Sequence, residues 1–235
     1  MEKRPIVLLD IDETILDFHT AEAVAVSRTL RELGIEPTEA VVRRYSEINK
    51  SQWELLEEGL LTREQVLLRR FQLLFQELGA DVRGEEARDR YEGYLCRGHW
   101  FVPGAPELLE TLRGFCRLFV VSNGTLRVQQ GRMESAGIGD SFEKVFISEE
   151  LGANKPERLF FDRVFAQIPY FDRERAIIVG DSLTSDIRGG RRAGIRSCWF
   201  NPEGKPGRED IVPDYEIRTL SELPGLIRKL WPLEE

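Results

Sequence analysis

The chain is poor in cysteine and histidine, two residue types that often build metal or redox sites. Its 235 residues include three cysteines and two histidines, and no two cysteines form a Cys-x-x-Cys pair. One close pair, Cys96 and His99, offers too few ligands for zinc, which usually takes four. We therefore expect reduced, mostly buried thiols and no zinc site.

Excess positive charge and long apolar runs are also missing. The net charge of −8 argues against a general nucleic-acid binder, because affinity for the phosphate backbone requires clustered Lys and Arg. The sequence has no apolar run of about 18 residues and no signal-peptide pattern. We expect a soluble, cytoplasmic protein, monomeric or homodimeric, that binds neither a nucleic-acid polymer nor a membrane.

Two aspartates follow the first apolar run of the chain. Residues 6–9 read Ile-Val-Leu-Leu, as in a strand buried on both faces, and Asp10 and Asp12 come directly afterwards. In an extended segment, side chains at i and i+2 lie on one side, about 6.5–7 Å apart. The pair is therefore expected to face one site, although Asp is also common in turns and at helix N-caps.

Residues 17–98 show helical periodicity and no strand signal. Helices are predicted over about 20–33, 37–59, 62–79 and 85–96, with a break in the second near Asn49. Thr62 and Gln65 have the spacing of a capping box, and Gly79 is a plausible helix end. This pattern predicts a helical insertion after the first strand.

Strands and helices alternate after this insertion. Apolar runs at residues 118–121, 145–147, 176–179, 197–200 and 215–217 are separated by helical stretches. Such alternation favours an α/β fold, a Rossmann-like, doubly wound parallel sheet. We predict a catalytic core of residues 1–16 and 99–235 and a helical cap domain of residues 17–98.

Polar residues follow three of these predicted strands. Ser122 and Asn123 end the second strand, and Asp181 ends the fourth, with Asp186 five residues later. In a parallel sheet these ends meet at one edge, where ligands usually bind. Clustered carboxylates repel one another unless positive charge lies among them, and hard oxygen ligands suit Mg²⁺. Lys155, before Pro156 at an expected helix start, supplies a fixed cation.

These groups match the requirements of phosphoryl transfer. A carboxylate can attack phosphorus and carry the phosphoryl group, and we assign this role to Asp10. Asp12 is the candidate acid and base. Phosphate would be held by Lys155 and by polar groups at the strand ends, namely Thr14, Ser122 and Asn123. Each feature alone has an ordinary explanation as a turn, a helix cap or a solvated lysine; their joint order favours a site.

In this order, the residues resemble the four motifs of the haloacid dehalogenase (HAD) superfamily. The motifs are Asp10-x-Asp12-x-Thr14, Ser122, Lys155-Pro156 and Gly180-Asp181-Ser182-x3-Asp186. The resemblance implies a Rossmann-like core with a C1-type helical cap, Asp10 as nucleophile and Asp12 as acid and base. It also implies Mg²⁺ bound by the backbone carbonyl of Asp12 and by Asp181. From the residues themselves we assign Asp10 and Asp181 to Mg²⁺, with Asp186 as a further ligand, direct or water-mediated. Dehalogenases of the superfamily lack the second aspartate, so Asp12 favours phosphatase chemistry.

Several segments further resemble bacterial pyrimidine 5′-nucleotidases, which dephosphorylate nucleoside 5′-monophosphates. They include residues 10–18, Asn49 with Trp53, residues 147–156, and the segment Ser197-Cys198-Trp199-Phe200-Asn201. The resemblance implies that the cap selects the substrate, a small phosphorylated metabolite. Candidate base-binding residues are Phe18, His19, Asn49, Trp53 and Trp100, for which cap packing or a surface position is the alternative.

Other functions remain open from the sequence. On the same core, the chain could be a sugar-phosphate or phosphoglycolate-type phosphatase, or a phosphoglucomutase. A signalling receiver module also uses a phosphorylated Asp, a hydroxyl residue and a Lys-Pro pair, but it does not explain the helical insertion or Asp12. A catalytically inactive binding protein is a further alternative, although every expected catalytic position is filled.

Overall fold

The computed structural model describes residues 4–232, which divide into two compact units. The first, called the sheet unit, contains residues 4–17, 101–126 and 137–232. The second, called the helical unit, contains residues 18–100 and 127–136. The sequence predicts segment 127–136 as part of the catalytic core, and in the structure this segment groups with the helices of the helical unit.

Within the described residues, the sheet unit contains six parallel strands in the order β3-β2-β1-β4-β5-β6. The predicted α/β class and parallel sheet are thereby confirmed. The strands are β1 (Ile6–Leu9), β2 (Arg117–Ser122), β3 (Lys144–Ile147), β4 (Ala176–Gly180), β5 (Arg196–Phe200) and β6 (Tyr215–Ile217). Chain order reverses beside β1, so the residues after β1 lie at the switch point where such sheets bind ligands.

The central strands are apolar because both of their faces are covered. All four residues of β1 are buried, and Leu8 lies in register with Phe119 on β2 and Ile178 on β4. Four apolar side chains of one later segment pack in the same core: Phe160, Phe161, Val164 and Phe165. The helices of the sheet unit, apart from α6, are α5 (Ala105–Arg113), α7 (Ser148–Leu151), α8 (Arg158–Phe165), α9 (Arg188–Ala193) and α10 (Leu223–Leu230).

The helical unit has its own apolar core. Its helices are α1 (Phe18–Glu32), α2 (Glu39–Glu57), α3 (Arg63–Leu78), α4 (Gly84–Leu95) and most of α6 (Leu126–Ala136). Tyr45, Phe71 and Tyr91 pack there with ring centroids 5.0 to 5.5 Å apart. The predicted capping box of Thr62 and Gln65 is confirmed, as is the end of α3 at Gly79, which has a left-handed φ of 63°.

Segment 127–136 joins this core through a close backbone contact. A Cβ added at Gly131 would lie 2.8 Å from the Cβ of Cys96, so glycine is required for the approach. Next along the chain, Arg132 is fully buried and its Nε donates to the carbonyl of Gly98 at 3.1 Å. These contacts depend on residues distant in sequence, which explains why local patterns did not reveal them.

Two local predictions differ from the structure. Helix α2 is continuous through Asn49, because this residue is buried and its side chain has partners on other helices. Helix α8 begins at Arg158 and not at Pro156, which follows a cis peptide bond from Lys155. Among the helices that the structure describes, none combines the length and apolarity needed to span a membrane.

Candidate active site

The turn after β1 places Asp10 and Asp12 at the carboxyl edge of the sheet. The Asp10 amide still donates to the Val179 carbonyl of β4 at 3.0 Å, so Asp10 is held as an extension of the strand. The chain then turns, with Glu13 at a positive φ of 58°. Few non-glycine residues adopt this conformation, and those that do often lie in constrained turns beside functional sites.

Lys155 lies at the centre of the site. Its ammonium donates to Asp10 Oδ1 at 2.6 Å, Asp186 Oδ1 at 2.7 Å and the Val121 carbonyl at 2.8 Å. The lysine is 1% exposed, so these three acceptors replace its hydration. Burial opposes the charged ammonium, but Asp10 and Asp186 outweigh this effect and raise the pKa of Lys155. The lysine therefore carries a fixed positive charge.

Lys155 is positioned by the segment that follows β2. The Asn123 side-chain amide donates to the Lys155 carbonyl at 2.9 Å, and its oxygen accepts from the Lys155 backbone N–H at 2.8 Å. Ser122 is buried, and its hydroxyl accepts from the Gly124 amide at 3.1 Å. Asn123 therefore holds the backbone of the site lysine, and its predicted contact with phosphate stays a prediction.

Asp181 and Asp186 are brought to the site by the turn after β4. Gly180 is the last residue of that strand, and glycine is required there because a Cβ would lie 2.1 Å from Asp186 Oδ2. Residues 183–187 form a π-helical turn, and the Ser182 hydroxyl caps its N-terminus by accepting from the Ser185 amide at 3.1 Å. The Ser182 amide donates to Asp186 Oδ2 at 3.2 Å. Both oxygens of Asp186 are thus fixed, one by Lys155 and one by this turn.

Asp10, Asp181 and Asp186 form one acidic cluster. Each offers a carboxylate oxygen, and these three oxygens lie within 4.8 Å of one another. Burial, with a smaller contribution from Asp186, raises the pKa of Asp10 to about 8 despite the opposing effect of Lys155. Burial and the charges of Asp10 and Asp186 also raise the pKa of Asp181. The cluster therefore favours a bound positive charge.

This donor set fits Mg²⁺. The ion prefers carboxylate and carbonyl oxygens, and octahedral binding at about 2.1 Å puts ligand oxygens about 3–4 Å apart. Three carboxylates and one ammonium leave a formal charge of −2, which a divalent cation would neutralise. The Asp12 carboxylate lies outside this cluster, and only its carbonyl was expected to bind metal.

The remaining predicted residues have varied surroundings. Thr14 is fully buried, and its hydroxyl has no hydrogen-bond partner among the described residues. In the helical unit, Asn49 is buried between Glu22 Oε1, 2.6 Å from its Nδ2, and Arg70 Nη1, 3.1 Å from its Oδ1. Sequence patterns did not reveal Glu22 or Arg70, since both bond to Asn49 from other helices, Glu22 from α1 and Arg70 from α3.

The aromatic and histidine candidates also lie in the helical unit. Phe18 is half-buried with the Arg132 guanidinium 5.5 Å from its ring centroid, Trp53 is half-buried and His19 is exposed. Trp100 is 43% exposed and stacks with His99 at 6.1 Å between ring centroids. These positions do not test a role in base binding, which stays a prediction.

Comparison with known proteins identifies a family. A model of haloacid dehalogenase-like hydrolases matches residues 5–194. The chain is 39% identical over 223 residues to the HAD-hydrolase YfnB of Bacillus subtilis, covering 95% of each chain. A structure of YfnB bound to magnesium superposes with a TM-score of 0.91, covering 96% of this chain and 99% of that one.

Two further relatives are nucleotidases. Pyrimidine 5′-nucleotidase PynA of Streptococcus pneumoniae is 36% identical over 225 residues, covering 95% of this chain and 94% of PynA. Pyrimidine 5′-nucleotidase YjjG of Escherichia coli is 31% identical over 224 residues, covering 95% of this chain and 97% of YjjG.

Proposed function

Because the chain belongs to the haloacid dehalogenase-like hydrolase family, we propose that it is a Mg²⁺-dependent phosphatase acting through a phosphoryl-aspartate at Asp10. The observation that carries the proposal is the buried contact of Lys155 with Asp10 and Asp186. It holds a carboxylate nucleophile at the sheet edge beside two further acidic groups.

The first chemical step forms a bond between Asp10 and phosphorus. Lys155 holds Oδ1 of Asp10, so we assign Oδ2 as the attacking oxygen. The bond between phosphorus and the ester oxygen of the substrate breaks, and the leaving alkoxide takes a proton from Asp12. Ser122 and Lys155 are proposed to bind the phosphoryl oxygens and to stabilise their charge.

The second step regenerates the enzyme. Asp12 takes a proton from water, the water oxygen attacks phosphorus, and the bond from phosphorus to Asp10 breaks to release inorganic phosphate. Asp10, Asp181, Asp186 and the Asp12 carbonyl are the groups that would hold Mg²⁺, which neutralises negative charge on the transferred phosphoryl group.

We propose nucleoside 5′-monophosphates, with pyrimidine bases preferred, as the substrate class. The similarity to PynA and YjjG over nearly the whole chain supports this choice. Phe18, His19, Asn49 and Trp53 are the candidate residues for base recognition. Trp53→Ala should then raise KM for pyrimidine monophosphates more than KM for p-nitrophenyl phosphate.

A substrate screen tests the proposal. Purified protein is assayed with Mg²⁺ against nucleoside monophosphates, sugar phosphates and phosphoglycolate, with release of inorganic phosphate as the readout. We expect the highest kcat/KM for pyrimidine monophosphates and loss of activity when Mg²⁺ is chelated. Faster turnover of sugar phosphates would contradict the substrate assignment. A phosphorylated protein that persists for many minutes and turns over none of these compounds would indicate a receiver module instead.

A further inference from the structure

We propose that Trp199 is a positioning residue that holds the acidic cluster in its metal-binding arrangement; this inference rests on the function proposed above. Trp199 lies on β5, is 3% exposed and is opposite Gly180 in the register with β4. Its indole N–H donates to the Asp181 carbonyl at 2.8 Å. The tryptophan therefore contacts the backbone of a cluster residue from the neighbouring strand.

The hydrogen bond from the Trp199 indole fixes the peptide group between Asp181 and Ser182, which also contacts Asp186. The carbonyl of Asp181 and the amide N–H of Ser182 belong to the same planar unit. While the carbonyl accepts from Trp199, the N–H donates to Asp186 Oδ2 at 3.2 Å. Rotation of this plane would move the Asp181 backbone and break the contact with Asp186.

Hydrogen bonds continue from this peptide to the nucleophile. Asp186 Oδ1 accepts from Lys155 at 2.7 Å, and Lys155 donates to Asp10 Oδ1 at 2.6 Å. A continuous path thus leads from Trp199 through Asp186 and Lys155 to Asp10. Such outer partners orient metal ligands, and removing one typically weakens metal affinity about 10-fold or more.

Packing of the indole supports the same segment. Trp199 forms a small apolar cluster with Ile187 and Ile211, and Leu183 packs against it. Leu183 and Ile187 are the ends of the π-helical turn that carries Asp186. The tryptophan therefore supports this turn by both a hydrogen bond and apolar contact.

The chain contains a matched control. Trp231 is 6% exposed, and its indole N–H donates to a backbone carbonyl, that of Glu174, at 3.1 Å. Glu174 is not a member of the acidic cluster. Trp231→Phe removes the same kind of bond as Trp199→Phe, without a link to Asp181.

The test measures Mg²⁺ affinity by calorimetry in unmodified protein, Trp199→Phe and Trp231→Phe, together with turnover, KM and thermal unfolding. We expect Trp199→Phe to weaken Mg²⁺ binding about 10-fold, and saturating Mg²⁺ to restore part of the turnover. Trp231→Phe should change thermal stability alone. Equal Mg²⁺ affinities in both variants and the unmodified protein would overturn the proposal.

A second measurement uses NMR on the unmodified protein. With ¹⁵N-labelled tryptophan, the indole N–H signal of Trp199 should shift on addition of Mg²⁺, whereas that of Trp231 should stay in place. An unchanged Trp199 signal in protein that binds Mg²⁺ would contradict the positioning role. Failure of the unmodified protein to bind Mg²⁺ at all would instead refute the metal dependence in the proposed function, and this inference with it.

Discussion

Lys155 and Asp10, separated by 145 positions in the chain, form a buried ion pair with 2.6 Å between Nζ and Oδ1. The same ammonium contacts Asp186 at 2.7 Å. Two carboxylates are thereby kept in the interior around one cation. Without Lys155, the negative charges of these two carboxylates would have to be neutralised by protonation or by a metal ion. Lys155 is therefore expected to affect both stability and catalysis.

Replacing Lys155 with Met should strongly destabilise the protein. Removal of one member of a buried charge group leaves its partners uncompensated, at a typical cost of about 3–5 kcal/mol. Urea unfolding measures this loss, and phosphatase activity should disappear in the same variant. Lys144→Met is the control, because Lys144 is exposed and its ammonium contacts the Gln167 amide oxygen and the Phe146 ring, with no buried ion pair among the described residues; its cost should be below about 1 kcal/mol.

Gly180→Ala should disrupt the site through one added methyl group. That group would overlap Asp186 Oδ2, which accepts from the Ser182 amide. The Asp186 carboxylate cannot move away without disturbing this bond and the bond from Lys155 to its Oδ1. We expect destabilisation of about 1–3 kcal/mol, as for other overpacked sites, and turnover that is slower by about tenfold or more. In the matched variant Gly225→Ala, the methyl meets no atom within 4 Å, and a helical alanine should leave activity unchanged. Unimpaired turnover by Gly180→Ala would refute the steric argument.

Local patterns predicted the strands and the capped helices because their causes lie within a few residues. The apolar run at residues 6–9 and the pair of Thr62 and Gln65 are examples, and both are confirmed. Partners across long sequence distances carry no such signal. The continuity of α2 depends on Glu22 and Arg70, and the grouping of segment 127–136 with the helices depends on contacts such as Gly131 with Cys96.

The candidate site shows the same division. The sequence pointed to Asp10, Lys155, Asp181 and Asp186 because each follows a strand or begins the next element, and the structure brings these four together. The contact of Trp199 with Asp181 was not predicted, since a tryptophan within an apolar strand is usually a packing residue. The contact of the Asn123 side chain with the Lys155 backbone was also not predicted, because the two residues are 32 positions apart.

The stability of the helical unit should respond to the charge of Glu22. Burial raises the pKa of Glu22 above its ordinary value of 4.5, against the opposing effects of Ser46, Asn49, His19 and Arg70. The folded protein therefore favours the protonated acid, and ionisation lowers the free energy of unfolding as pH rises above the ordinary pKa.

Glu22→Gln removes this ionisation and keeps an acceptor for Asn49. We expect the stability of the variant relative to the unmodified protein to increase as the pH rises above the ordinary pKa of Glu22, measured by urea unfolding at each pH. Exposed Glu36 provides the control, and Glu36→Gln should show much less change with pH. A relative stability that falls with pH in Glu22→Gln would mean that attraction to Arg70 exceeds the burial cost.

Asp10 is proposed to carry the phosphoryl group during turnover. Rapid quenching of the Mg²⁺-loaded protein with a ³²P-labelled pyrimidine nucleoside monophosphate, followed by peptide mapping, tests it directly. We expect transient label on the peptide that contains Asp10, and neither label nor turnover in Asp10→Asn. Label on another residue, or full turnover by Asp10→Asn, would contradict it.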